Sequence, residues 1–298
     1  PQIYTESGRA TTAHHAVFVT NIVEVESVVG EEVPDIGKTN DEDLVELDNM
    51  LDSVDSLPIN EIYTSSVLAI ESLHNRFSAG DLSLEKRAVA EQLFSHIKLE
   101  IIKRLNPLHR SHRDLFDRLD EDLAKKIIAN FSLFQSIPDS WAISQLFPVM
   151  PLSQLNEEPT MRSIIEDITC DSDGKINNYM DYQGNEPSLK LPKYNARNPY
   201  LLGIFLVGAY QEIMGNMHNL FGQVTTLDIC LDGKGGFEFE AVHEGFTNKN
   251  SLEHVGYDIV EMLDLAKKSL TTLKISKAEQ LHLFNQIKGV FESHTYLT

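Results

Sequence analysis

The sequence predicts an α+β chain in which a helical block interrupts a β-rich domain and a second helical segment follows it. Three observations carry this. Ala16-Val17-Phe18-Val19-Thr20-Asn21-Ile22-Val23 and several runs between 131 and 247 are rich in β-branched and aromatic residues at strand length. Leu93, Ile97, Ile101 and Leu105 recur at the period of a buried helical face, with Lys98, Glu100, Lys103 and Arg104 on its other sides. The tail, 251–298, carries two more such stripes: Val260, Leu263, Ala266, Leu270, and then Leu281, Phe284, Ile287, Phe291. Strands on both sides of one helical block suggest an insertion into a single β domain, and no internal repeat is apparent.

Element by element, residues 1–30 read as strand, with Ile3-Tyr4-Thr5 first and 16–23 second. The acidic stretch 31–60 is punctuated by Pro34, Gly37 and Pro58, has only Lys38 as a cation, and reads as a linker or mobile loop. Helical periodicity then holds over about 60–130. Asp81 or Ser83 caps one helix, Asn106-Pro107 ends it, and Leu115, Leu119, Leu123 and Ile127 form a second stripe. Strands are expected at 131–134, 164–170, 201–210, 227–231 and 236–242, the third buried on both faces. Asp232-Gly233 signals a hairpin between the last two. Gln211, Met214 and Met217 allow a helix over 210–220.

Charge narrows the function classes. The 298 residues hold 25 basic and 45 acidic side chains, a formal charge of −20. Such a surface repels phosphate backbones and anionic lipid, so neither nucleic acid nor a membrane is an expected partner. It suits a cationic small molecule, although acidity also serves plain solubility. Two cysteines, Cys170 and Cys230, make no disulfide framework, and with no signal peptide visible the cytoplasm is the expected compartment. No apolar run approaches bilayer length. The chain opens on Pro1 with a site-like motif six residues in, so we expect more chain upstream.

Three segments carry candidate chemistry. In Glu6-Ser7-Gly8-Arg9 a carboxylate precedes a glycine that lets backbone approach a phosphate and an arginine that supplies a planar cationic fork. Taken alone, it reads more readily as a strand-to-turn salt bridge. Asp167-Ile168-Thr169-Cys170-Asp171-Ser172-Asp173-Gly174 sets a thiol beside a carboxylate. A buried structural thiol competes with a functional one there, while a calcium loop lacks its downstream glutamate and flanking helices. In Gly208-Ala209-Tyr210 the hydroxyl either meets a phosphate oxygen or belongs to a packed core tyrosine. His109 and His112 have ligand-like spacing but sit in a charged stretch and read as surface residues.

In this order the three segments resemble the fold-type-III pyridoxal-phosphate decarboxylases of the ornithine decarboxylase and alanine racemase superfamily. The finer match is to their arginine-decarboxylating branch. It rests on Glu6-Ser7-Gly8-Arg9-Ala10-Thr11-Thr12-Ala13-His14-His15-Ala16, on Phe134-Gln135-Ser136-Ile137-Pro138-Asp139-Ser140-Trp141-Ala142-Ile143, on the 167–174 run, and on 207–221 with its ending Gly215-Asn216-Met217-His218-Asn219-Leu220-Phe221. The resemblance covers essentially the whole chain. Many relatives read Glu-Pro-Gly-Arg where this chain has Ser7, a residue the arginine branch tolerates.

The resemblance implies a C-terminal portion. Residues 1–16 would end a (β/α)8 cofactor barrel and 17–40 would start a β-barrel or sandwich domain. Residues 41–130 would be the helical-bundle insertion, 131–248 the β domain with its site residues, and 249–298 a C-terminal helical extension. The Schiff-base lysine and glycine-rich phosphate loop have no candidate here. By resemblance Glu6 keeps the pyridine nitrogen of pyridoxal 5'-phosphate protonated, and Gly8, Arg9 and Tyr210 contact its phosphate. Cys170 returns a proton to the substrate Cα after CO2 leaves, a role for a thiol rather than a thiolate. Asp171 receives the cationic end of the substrate, Asp139 is a second candidate for that end, and His218 is ancillary.

The implied reaction is L-arginine to agmatine and CO2, feeding putrescine and spermidine synthesis. The implied state is a homodimer or higher oligomer with active sites between subunits. Magnesium accompanies the arginine enzymes by resemblance only, and no metal ligands are assigned. The alternatives are ornithine, lysine or diaminopimelate decarboxylases of the same fold, or a non-catalytic regulatory homologue.

Overall fold

The computed structural model describes residues 1–181 and 184–297. Its first strands, in chain order, are β1 (Val17–Glu26), β2 (Lys125–Ala129), β3 (Val149–Pro151), β4 (Met161–Glu166), β5 (Lys175–Ile176), β6 (Tyr179–Asp181), β7 (Gly184–Glu186), β8 (Leu189–Leu191) and β9 (Leu201–Phe205). Seven of them form one mixed sheet in the order β3-β9-β1-β2-β4-β5, with β8 also on β4; β6 and β7 pair separately. β1 bridges strands from two later parts of the chain. Its first half pairs antiparallel with β9 (Val17 opposite Phe205, Asn21 opposite Leu201) and its second half with β2 (Glu26 opposite Lys126), across an irregularity between Ile22 and Glu24. The helical block therefore leaves and re-enters one sheet. Ile22, Ile127, Phe131, Ile165, Tyr179, Tyr200, Leu202 and Ile204 form its core. Each such side chain removed from water contributes about 1.5–3 kcal/mol.

A short helix, α1 (Gly8–Thr12), precedes β1, and residues 1–7 carry no regular structure. The strand expected at Ile3-Tyr4-Thr5 does not form. Ile3 and Tyr4 are 83% and 87% exposed and pair with no described strand, and an extended segment without a ladder has no partner for its amides. The block itself comprises α2 (Glu42–Asp52), α3 (Ile59–Ala79), α4 (Leu84–Arg104) and α5 (Arg110–Asp122). α2 lies inside the stretch whose composition reads as a linker, and within the 41–130 insertion that the resemblance implied. Its Leu44, Leu47 and Met50 face the core that Leu73, Leu93, Ile97, Ile101 and Leu119 also build, and the surrounding acidic residues obscured that stripe. Ser83 caps α4, accepting from the Lys86 amide at 3.4 Å. Gly80 ends α3 in the left-handed region, φ 84°, and the next amide, Asp81, returns to the Arg76 carbonyl at 2.8 Å. Ile127 belongs to β2 rather than to the second helical stripe, because parallel pairing sets it opposite Ile165.

β2 and β4 run parallel, which requires a crossover, and residues 130–160 supply it. Within it, α6 (Leu133–Ser136) and α7 (Pro138–Ala142) replace the strand expected at 131–134. Ser132 accepts from the Gln135 amide at 3.3 Å and turns the chain there. After β9 come the four-residue α8 (Gln211–Met214) and a 3-10 turn (His218–Leu220) in place of the single helix expected over 210–220, because Gly215 leaves helical geometry. The hairpin β10 (Thr226–Leu231) and β11 (Phe237–His243) forms where Asp232-Gly233 signalled it. Asp232 Oδ1 accepts from the amides of Lys234 (2.8 Å) and Gly236 (2.9 Å). Three helices close the chain: α9 (Asn248–His254), α10 (Ile259–Thr271) and α11 (Lys277–Glu292). The end of the tail folds back: Tyr296 donates its hydroxyl to the Gly222 carbonyl (2.7 Å) and stacks on Phe221.

Candidate active site

The first and third segments meet at Arg9. α1 carries Gly8 and Arg9, and Glu6 lies exposed just ahead of it. The Arg9 guanidinium sits 5.2 Å from the centre of the Tyr210 ring, and a Cβ on Gly8 would come within 2.8 Å of the Tyr210 hydroxyl. Tyr210 is half exposed and left-handed at φ 70°, so it is not a packed core tyrosine. Gly208 makes the approach possible. Its amide donates to the Ala13 carbonyl at 2.9 Å, and a Cβ there would overlap His15 and the Thr12 carbonyl.

Asp139 does not face open space. It is buried, and its Oδ2 accepts from Arg9 Nη2 and, at 2.7 Å, from Gln211 Nε2. Gln211 Oε1 in turn accepts from the Asp139 amide at 3.1 Å. The expectation that Asp139 meets a substrate cation thus gives way to a different set of partners. The other guanidinium nitrogen, Arg9 Nη1, is buried with no hydrogen-bond partner. A buried donor left open in this way fits a ligand anion beside Tyr210.

The second segment forms a turn just past β4. Asp167 is its brace. It is buried, and its Oδ2 accepts from the Leu133 amide (2.7 Å) while its Oδ1 accepts from the Thr169 amide (2.9 Å) and hydroxyl (2.7 Å). Burial pushes the Asp167 carboxyl above the usual carboxylate range, against the pull of those donors. Gly174 closes the turn, since a Cβ there would overlap the Asp167 carboxylate. This turn exposes Cys170 rather than burying it. Asn219 Nδ2 lies 3.2 Å from Cys170 Sγ, and His218 Nε2 lies 3.1 Å from Asp171 Oδ2. The His218 ring packs on Phe134 at 4.3 Å, and Phe134 meets Trp141 edge-on at 5.3 Å. The Trp141 indole donates to Asp173 at 3.2 Å.

Cys170, Asp171 and His218 therefore form one cluster and Gly8, Arg9, Tyr210 and Asp139 another. The 131–142 crossover spans both, through Phe134 at one end and Asp139 at the other. Gln211, Asn219, Phe134 and Trp141 stand in the quoted motifs but carried no assigned role from sequence. Gln211 and Asn219 each follow a singled-out residue directly, and Asn219 holds φ 54°, but neither fact names a partner. His109 and His112 lie in the helical block, at the start of α5, with their rings 5.2 Å apart. Among the described residues no cluster of three or more His, Cys, Asp or Glu side chains is arranged to hold a metal ion. None of their helices is long and apolar enough to cross a membrane.

Known proteins resemble this chain over its whole length. Residues 38–120 match the model of the arginine decarboxylase helical bundle domain. The whole chain aligns with the biosynthetic arginine decarboxylases of Pasteurella multocida (39% identical over 304 residues) and Shewanella loihica (40% over 304). Over its whole length the chain is similar to biosynthetic arginine decarboxylases. The crystal structure of the biosynthetic arginine decarboxylase from Campylobacter jejuni superposes on all of it, with a TM-score of 0.80 at 32% identity. The chain spans about half the length of these relatives, 47% of the two sequences and 48% of the crystallised chain. The helical block α2–α5 thus coincides with the residues that match the bundle model, and the sheet that carries the site motifs lies within the part that superposes on the crystal structure.

Proposed function

We propose that this chain supplies the substrate-facing part of a pyridoxal-phosphate-dependent arginine decarboxylase, forming agmatine and CO2 for polyamine synthesis. The observation that carries the reading is the exposed Cys170-Asp171 turn, paired with His218, in a chain whose relatives over its full length are named biosynthetic arginine decarboxylases. The residues fit the cofactor: Arg9 Nη1 is a buried donor without a partner, and Gly8 leaves room for the Tyr210 hydroxyl beside it. Arg9 and Tyr210 would hold the phosphate, and Glu6 the ring nitrogen. When bound, the cofactor supplies the electron sink for decarboxylation.

The chain's own residues do the rest. Asp171 receives the guanidinium of arginine, whose planar fork suits a carboxylate. His218, braced by Phe134, holds Asp171 in place. The Cys170 thiol gives its proton to the carbon that has lost CO2. With Cys170, Asp171 and Tyr210 all open to solvent or only partly covered, this face is read as one wall of a site that a second subunit completes in a homodimer or larger homo-oligomer.

The test is substrate preference. The complete protein with pyridoxal phosphate should release CO2 from arginine at least about a hundredfold faster, in kcat/KM, than from ornithine or lysine. Equal or reversed rates would refute the assignment. No CO2 from any of these amino acids would leave a regulatory homologue as the better reading.

A further inference from the structure

We infer that Asp139 is a positioning residue for Arg9, locked in place by Gln211, and that it makes no contact with substrate. The inference rests on the proposed reading of Arg9 as a phosphate ligand.

The argument starts from what each group can bond. A guanidinium presents five N–H donors in a rigid plane. Arg9 gives Nη2 to Asp139 and keeps Nη1 buried and free, so the carboxylate fixes the plane and leaves the opposite nitrogen for an incoming anion. The carboxylate in turn has little choice of position. Its side chain is only 4% exposed, its Oδ2 takes Arg9 and Gln211 together, and the Asp139 amide is tied to Gln211 Oε1. Gln211 is anchored as well, through its second Nε2 bond to the Ala209 carbonyl at 2.8 Å.

Since Gln211 directly follows Tyr210, one amide side chain ties both phosphate-facing residues to the crossover. Asp139 sits 130 positions from Arg9 and 72 from Gln211. The three segments are therefore latched at a single carboxylate. A substrate cation would have to displace Arg9 to reach it, which would leave that guanidinium buried without its counter-ion, a costly exchange.

Positioning and substrate contact predict opposite results. In the complete protein, Asp139→Asn should weaken pyridoxal-phosphate binding about tenfold or more, read from cofactor absorbance during titration, with the ratio of arginine to lysine KM unchanged. Gln211→Ala, a milder change should Asp139→Asn fold poorly, should weaken cofactor binding in the same direction. Because Asp139 acts through Arg9, the Arg9→Ala/Asp139→Asn pair should bind cofactor no worse than Arg9→Ala alone. Unchanged cofactor affinity in Asp139→Asn or Gln211→Ala, with a raised KM for arginine only, would overturn the inference. If Arg9→Ala itself left cofactor binding intact, the phosphate reading would fail, and the inference with it.

Discussion

Asp167→Asn offers a sharp test of how the Cys170 turn is held. The substitution is isosteric and removes one acceptor oxygen along with the charge. Three donors converge on Asp167: the Leu133 amide on one oxygen and the Thr169 amide and hydroxyl on the other. An asparagine serves one side and turns an NH2 group toward the other, so a buried donor meets a donor. Hydrogen bonds to a charged group are worth about 1.5–3 kcal/mol, and stranding a buried donor costs about as much as losing its bond. A loss of about 2–4 kcal/mol follows. For a domain of this size that lowers the melting temperature by on the order of 10 °C. Because Leu133 opens the turn bearing Phe134, and Thr169 precedes Cys170, turnover should fall as well, by about tenfold or more. The assay is thermal unfolding by near-UV circular dichroism of the complete protein, beside its decarboxylation rate. A melting temperature within about 2 °C of the parent, with normal turnover, would show that the turn does not hang on this carboxylate.

Two further outcomes follow from the structure. Gly8→Ala should leave stability nearly unchanged, because α1 gains helix propensity, yet weaken cofactor binding roughly tenfold by displacing the Tyr210 hydroxyl, which the new Cβ would meet at 2.8 Å; unaltered affinity would argue against Tyr210 as a phosphate contact. In the helical block, bonds from Arg76 and then Lys86 hold the Asp41 carboxyl below its usual range, so its stabilisation is present above about pH 4 and is lost as pH falls through the folded value. An acid titration should therefore show the bundle loosening below about pH 4, and Asp41→Asn should flatten that slope while lowering neutral-pH stability by about 1–3 kcal/mol.

Much of this molecule is local and was legible as such. The stripe from Leu93 to Leu105, the Ser83 cap, the Asp232-Gly233 hairpin and the β-branched run that became β1 each express preferences of neighbouring residues. The insertion of helices into a β domain could be read because strand periodicity stopped and resumed. Local reading failed where the neighbours decide. Ile3-Tyr4-Thr5 has strand residues but no ladder among the described residues, and Ile127 fits a helical stripe yet joins a parallel pair with β4. α2 was hidden because its exposed acidic residues outweigh the three apolar ones that face the core.

The candidate site divides in the same way. The sequence by itself picked out the candidate residues, Glu6, Gly8, Arg9, Cys170, Asp171, Tyr210, His218 and Asp139, through short motifs whose order resembled a family. Only the tertiary structure decided which of them meet. A buried charge takes the counter-ion that folding brings nearest, and nearness across 130 positions is not a property of any local pattern. That is why Asp139 reads as a substrate carboxylate in the sequence and lies against Arg9 in the fold.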